Sequence, residues 1–127
     1  MFEITVQSSF TASHTIRLPD GSFEPIHAHK WLVTITIASD QLDEIETVMD
    51  FHILEQYLKD VLTPLDNRHL NDLPPFKTAA PDSWNPSAER VIQFIAIELM
   101  KKLPQHTHLV SATTTEAPNC TATYRPS

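Results

Sequence analysis

Apolar residues recur at every second position along two long stretches of the chain. Phe2, Ile4, Val6, Phe10, Ala12 and His14 share one parity in the first. In the second, Trp31, Val33, Ile35 and Ile37 alternate with Leu32, Thr34 and Thr36. A period of two is the side-chain repeat of a strand with one face buried. The pattern predicts strands over 2–14 and 27–38, paired as a hairpin and joined by a loop over 15–26. That loop holds Pro19-Asp20-Gly21, a strong turn signal around the chain's single glycine.

The period then changes. After the polar connection DQLDEIE, Val48-Met49 predicts a short strand. Phe51, Leu54, Leu58 and Val61 fall at helical spacing, with Ile53, Tyr57 and Leu62 widening the stripe. Asp50 suits the N-cap and Pro64 the stop. LDNRHLND reads as a polar turn segment, and LPPFKTAAPDSW as a proline-rich surface loop. A second helix, SAERVIQFIAIELMKK, follows Asn85-Pro86, which resembles an N-cap and a first-turn proline. Ala88, Val91, Ile92, Ile95 and Leu99 form its apolar face, and Lys101 and Lys102 favour its dipole near the end. LVSATTTE and CTATY, split by APN, read as two closing strands. The order ββααββ predicts an α+β architecture with two helices on one face of an antiparallel sheet.

Composition narrows the class. At 127 residues the expectation is one domain, 1–127, with a substantial core. A formal net charge of -7 argues against nucleic acid as the main partner. One cysteine, Cys120, excludes an intramolecular disulfide, so a reducing, cytoplasmic setting is the simplest expectation. MFEITVQSSF has neither the basic head nor the apolar run of a signal peptide, and no run has the length of a membrane span.

Histidines supply the candidate chemistry. His27 and His29 are two apart, so both point to one face if the second strand begins near His27. A hairpin would set His14 opposite them. Three neutral imidazoles with one position left open describe a catalytic zinc site. The same spacing also suits partly exposed strand histidines that hold nothing. Glu24, just before the pair, reads either as a base beside the metal or as a solvated loop glutamate.

With these residues in this order, the chain resembles the 6-pyruvoyl-tetrahydropterin synthase family, including its 6-carboxy-tetrahydropterin synthase branch. FTASH, IHAH, VMDFHILEQYL, LDNRHLND, NPSAERV and TTTEAPNCTATY carry the resemblance, which covers nearly the whole chain. It implies the tunnelling fold, trimers stacked into hexamers with sites between subunits, and zinc held by His14, His27 and His29. It implies 7,8-dihydroneopterin triphosphate as the small-molecule substrate, with Glu116 anchoring the pterin ring and Thr115 beside it. A carboxylate suits that anchor, because it can accept two parallel hydrogen bonds from the 2-amino group and the adjacent ring nitrogen. Without the resemblance, Glu116 reads as a solvated residue at a strand end.

Two positions depart from the family pattern. Where common forms carry a catalytic cysteine, this chain has Phe23; the adjacent Glu24 resembles a variant branch in which glutamate takes that role. In LDNRHLND, Asp66 is kept as a proton-relay candidate, but Asn67 stands where a relay histidine is expected, and His69 lies two positions on. His69 reads either as the displaced relay or as a surface residue. Cys120 matches no catalytic position and reads as a small buried residue. His52, His106 and His108 read as ordinary surface or partly buried residues. Asp50 and Glu89 match recurrent family positions that helix capping and first-turn charge already explain. The functional expectation is a zinc-dependent lyase that cleaves the substrate side chain to 6-hydroxymethyl-7,8-dihydropterin, as in folate synthesis. The alternatives are a 6-carboxy-tetrahydropterin synthase of the queuosine type and a zinc- and pterin-binding protein with little catalysis. Metal held only to stabilise the fold is a further possibility.

Overall fold

The computed structural model describes residues 1–77 and 83–127. Strand β1 spans Phe2–His14 and β2 spans His27–Ser39. They pair antiparallel over their whole length, from Phe2 opposite Ser39 to His14 opposite His27. Helix α1 (Phe51–Leu62) follows, then a two-residue strand β3 (Arg68–His69), helix α2 (Ala88–Met100), and strands β4 (His108–Ala117) and β5 (Cys120–Tyr124). The sheet order is β3-β1-β2-β4-β5. All pairings are antiparallel except β3 against β1.

The alternation buries one face as the sequence predicts. Val6, Phe10 and Ala12 from β1, Trp31, Val33, Ile35 and Ile37 from β2, and Leu109 and Ala112 from β4 all turn inward. Leu54, Leu58, Val61 and Leu62 of α1 and Val91, Ile92, Ile95, Ala96 and Leu99 of α2 cover them. Burying each of the larger aliphatic and aromatic side chains among them contributes roughly 1.5–3 kcal/mol. The opposite face carries hydroxyls that pair across strands, Thr5 with Thr36 and Thr113 with Thr123, each at 2.8 Å. None of the described helices is long and apolar enough to cross a membrane.

Several details differ from the sequence reading. Asp50 does cap α1, accepting from the His52 amide at 2.7 Å. The N-cap of α2, however, is Ser87 and not Asn85. Val48 and Met49 form no strand; both are buried under the sheet edge, with the Val48 carbonyl held by His106 Nε2 at 2.9 Å. The stretch 73–84 is not wholly a surface loop. Phe76 is fully buried and sets its ring edge against Phe94; residues 78–82 of that expectation lie outside the described ones. LDNRHLND is more than a turn, because it contains β3, added to the edge of β1 at Ala12 and Ser13. Asn67 enters it at φ 59°, a left-handed conformation that asparagine tolerates better than most residues. Cys120 is exposed, not buried: it opens an edge strand after the turn at Asn119.

Candidate metal centre

Strand register assembles the cluster. His14 ends β1 directly opposite His27, and Ala12 sits opposite His29, so the three imidazoles meet on the core face at one end of the ladder. Their rings lie edge to face, with centroids 4.5, 4.6 and 5.3 Å apart. Trp31 floors the group, its ring edge-on to His14 and His29. Glu116 arrives from β4. It falls where the β4–β5 register slips, between the Thr115–Thr121 and Ala117–Cys120 pairs. Its direction follows from alternation along β4, which turns Ala112 and Thr114 inward on the same face. Glu116 Oε1 reaches 2.9 Å from His14 Nε2, 3.1 Å from His29 Nε2 and 3.9 Å from His27 Nε2. The four ligand atoms lie within 4.8 Å of one another.

The donor set fits a metal ion. His14 Nδ1 lies 2.7 Å from the Pro86 carbonyl and His27 Nδ1 lies 3.0 Å from the Pro25 carbonyl. A carbonyl only accepts, so each Nδ1 donates and each ring turns its Nε2 toward the cluster. This is the arrangement by which outer partners orient metal-ligating histidines. The Nε2 atoms of His14 and His29 are buried and make no well-directed hydrogen bond among the described residues, although the Glu116 oxygen is close to both. Lone pairs facing a carboxylate repel unless a cation or protons stand between them. Burial also pushes the His29 imidazole below its ordinary pKa, against the opposing pull of Glu116. The neutral, ligating form is thereby favoured.

The sequence-chosen catalytic residues divide. Glu24 does come to the cluster, its Oε1 3.8 Å from His27 Nε2. The same oxygen accepts from the Ile16 amide at 3.2 Å. Glu24 lines an open cavity of about 420 Å³ together with Phe23, Ile26, His69 and Asn71. His69 therefore shares a space with Glu24, and its Nδ1 lies 2.9 Å from Ser13 Oγ. Asp66 does not join them. Its carboxylate accepts from the Thr11 amide at 2.9 Å and lines a separate hollow beside Lys59 and Thr63. Thr115 pairs with Leu32 and so stands on the sheet face away from the imidazoles. Glu116, expected at a pterin ring, stands among the three imidazoles. Asn71 and Asn85, which hold the turn carrying Glu24, were not identified as site residues; the NPSAERV motif marks Asn85 as notable but suggests helix capping.

A sheet with a three-histidine, one-carboxylate cluster at the end of its central hairpin defines an α+β protein with a cluster that could hold a metal ion. The 6-pyruvoyl tetrahydropterin synthase family model matches residues 3–127, and the chain belongs to that family. It is 27% identical over 108 residues to the 6-carboxy-5,6,7,8-tetrahydropterin synthase of Aquifex aeolicus, covering 74% of this chain and 67% of that protein. Among solved structures it resembles the 6-pyruvoyl tetrahydropterin synthase of Caenorhabditis elegans, with a TM-score of 0.81, 22% identity, and 99% and 96% of the two chains covered. It also resembles a Plasmodium vivax 6-pyruvoyltetrahydropterin synthase in which a catalytic glutamate is replaced by alanine (TM-score 0.77, 19% identity, 98% and 97% covered). At these identities the structures establish the tunnelling fold.

Proposed function

We propose that this protein is a zinc-dependent lyase acting on 7,8-dihydroneopterin triphosphate, with Glu24 as its base. The observation that carries this reading is the approach of Glu24 Oε1 to within 3.8 Å of His27 Nε2 in the imidazole cluster, beside a cavity that Glu24 shares with His69 and at a place where Phe23 leaves no thiol. The Plasmodium vivax relative, whose described catalytic residue is a glutamate, supports the same choice of group.

Held by His14, His27 and His29, zinc would polarise the two side-chain oxygens of the substrate. Glu24 would take the proton of the outer hydroxyl. Its O–H electrons form a carbonyl as the bond between the two hydroxylated carbons breaks. The released electron pair moves onto the carbon attached to the pterin, and His69 supplies the proton that completes 6-hydroxymethyl-7,8-dihydropterin. The other fragment leaves as glycolaldehyde triphosphate. Glu116 accepts the ring's 2-amino and ring N–H hydrogens, as the family resemblance implies. Asp66 lines a separate hollow, so a part for it in this chemistry would require a second subunit's cluster to meet that hollow, in line with the sites between subunits that the family resemblance implies. Sedimentation of the purified protein tests that point.

Incubation of zinc-supplemented protein with 7,8-dihydroneopterin triphosphate, followed by mass identification of the pterin product, tests the reaction. A hydroxymethyl pterin that disappears in Glu24→Gln supports it. The Aquifex relative's name favours a second reading, 6-carboxy-tetrahydropterin synthesis, for which the product is a carboxy pterin. Binding without any product would leave a pterin-binding protein.

A further inference from the structure

We propose that Asn85 is a positioning residue that couples the metal-facing orientation of His14 to the placement of the turn carrying Glu24. The proposal rests on the metal-centre reading above.

Beyond His14 the chain runs on through Thr15, Ile16 and Arg17 before turning back to Glu24. One side of this extension is occupied by the returning segment, with the Glu24 amide donating to the Ile16 carbonyl at 3.0 Å. Among the described residues no strand lies on the other side, because β3 pairs only as far as Ser13. Two asparagine amides stand there instead. Asn71 accepts from the Thr15 amide and donates to the Thr15 carbonyl, both at 2.9 Å. Asn85 accepts from the Arg17 amide at 2.8 Å and donates to the Arg17 carbonyl at 2.9 Å. A primary amide presents an acceptor and a donor much as a peptide group does, so each asparagine replaces one residue of a missing strand.

Asn85 differs from Asn71 in what it is bonded to. Its neighbour Pro86 presents the carbonyl that holds His14 Nδ1 at 2.7 Å. The Asn85 carbonyl accepts from the Ser87 amide at 2.8 Å, and Ser87 caps α2. The amide clamp on Arg17 and the start of α2 therefore fix where the Pro86 carbonyl stands. That carbonyl in turn fixes the tautomer and ring direction of His14. Helix capping does not account for Asn85, because Ser87 performs it. The clamp also ties Arg17, and through the Arg17–Phe23 bridge the turn bearing Glu24, to the same point.

The test compares wild type, Asn85→Ala, Asn85→Asp and Asn71→Ala. Zinc affinity is read by competition with a chromophoric chelator, and the visible spectrum of the cobalt-substituted protein is recorded. Loss of an outer partner of a ligating histidine typically weakens metal binding about 10–100-fold. Asn85→Ala is expected to fall in that range and to shift the cobalt bands. Asn71→Ala, which loosens the same turn without touching Pro86, should lose distinctly less. Asn85→Asp preserves the side-chain shape and the acceptor but removes the donor, so it decides the matter if the alanine variant does not fold; it too should bind zinc more weakly. Folded Asn85 variants with wild-type affinity and spectrum would overturn the proposal, as would equal losses for Asn71→Ala. If wild type itself takes up no divalent ion, the metal-centre reading fails first and is seen to fail before any variant is compared.

Discussion

The β1–β2 ladder keeps one period along its whole length, yet its two ends are built from opposite materials. Toward the start of β1, Val6 and Phe10 face Ile35 and Trp31, all inward and closely packed under the helices. At the other end, His14, His27 and His29 occupy the same inward parity. The apolar end gains stability from burial alone. The histidine end sets two buried ring nitrogens without directed partners beside a carboxylate, and so carries a local cost until a cation joins it. One folding pattern thus serves stability at one end and gathers candidate ligands at the other, and the two should separate under mutation.

The largest expected effect lies at the apolar end. Ile35→Ala removes a fully buried side chain and should cost about 2–5 kcal/mol in denaturant unfolding while leaving zinc affinity of the folded protein unchanged. A matching loss of affinity would mean the two ends are not separable. Next comes His27→Ala, at the most exposed of the three imidazoles (37%). Its metal-free unfolding midpoint should barely move, whereas zinc affinity should fall about a hundredfold, equivalent to about 2.7 kcal/mol of lost ligand stabilisation. Chelation of the wild type should likewise leave far-UV circular dichroism intact. Unfolding on chelation would instead make the metal a structural element.

Glu116→Gln sharpens the comparison at the carboxylate. If Glu116 anchors the pterin, the variant should raise KM by the loss of charge-assisted hydrogen bonds worth about 1.5–3 kcal/mol, with zinc affinity falling less than in His27→Ala. An equal fall in affinity would assign Glu116 to the metal instead.

The hairpin, both helices and the meeting of His14 with His27 were legible in the sequence, because periods of 2 and 3.6 and a parity count are local properties of the chain. Glu24 beside His27 was legible for the same reason, being three residues away. What was not legible depends on contacts between distant segments. Asn85 has the composition of a helix cap, and only the approach of Arg17, 68 positions away, turns its amide to another use. Phe76 sits in a proline-rich run that looks like surface, and is buried because Phe94 and the helices give it a place. Glu116 shares the inward parity of Ala112 and Thr114, but its meeting with the imidazoles depends on β4 pairing with β2 about eighty positions away in sequence, which no local period announces.

The smallest expected effect concerns protons in the metal-free protein. Burial holds the His29 pKa below its ordinary value of 6.5 in the folded state, with Glu116 opposing. Well above 6.5 the ring is neutral in both folded and unfolded chains and has no influence on the balance. As pH falls through about 6.5, the unfolded chain takes up the proton first, while the folded chain still excludes it. Unfolding is therefore favoured progressively from pH 6.5 down to the lower folded-state value. In the presence of chelator, wild type should lose more thermal stability than His29→Gln between pH 7.5 and 5.5, a difference of opposite sign to that of a histidine stabilised by its neighbouring carboxylate. Parallel decline of the two proteins would mean that burial does not govern His29. A steeper decline in the variant would mean that the Glu116 carboxylate outweighs burial, so that the metal-free cluster holds a proton between the imidazole and the carboxylate.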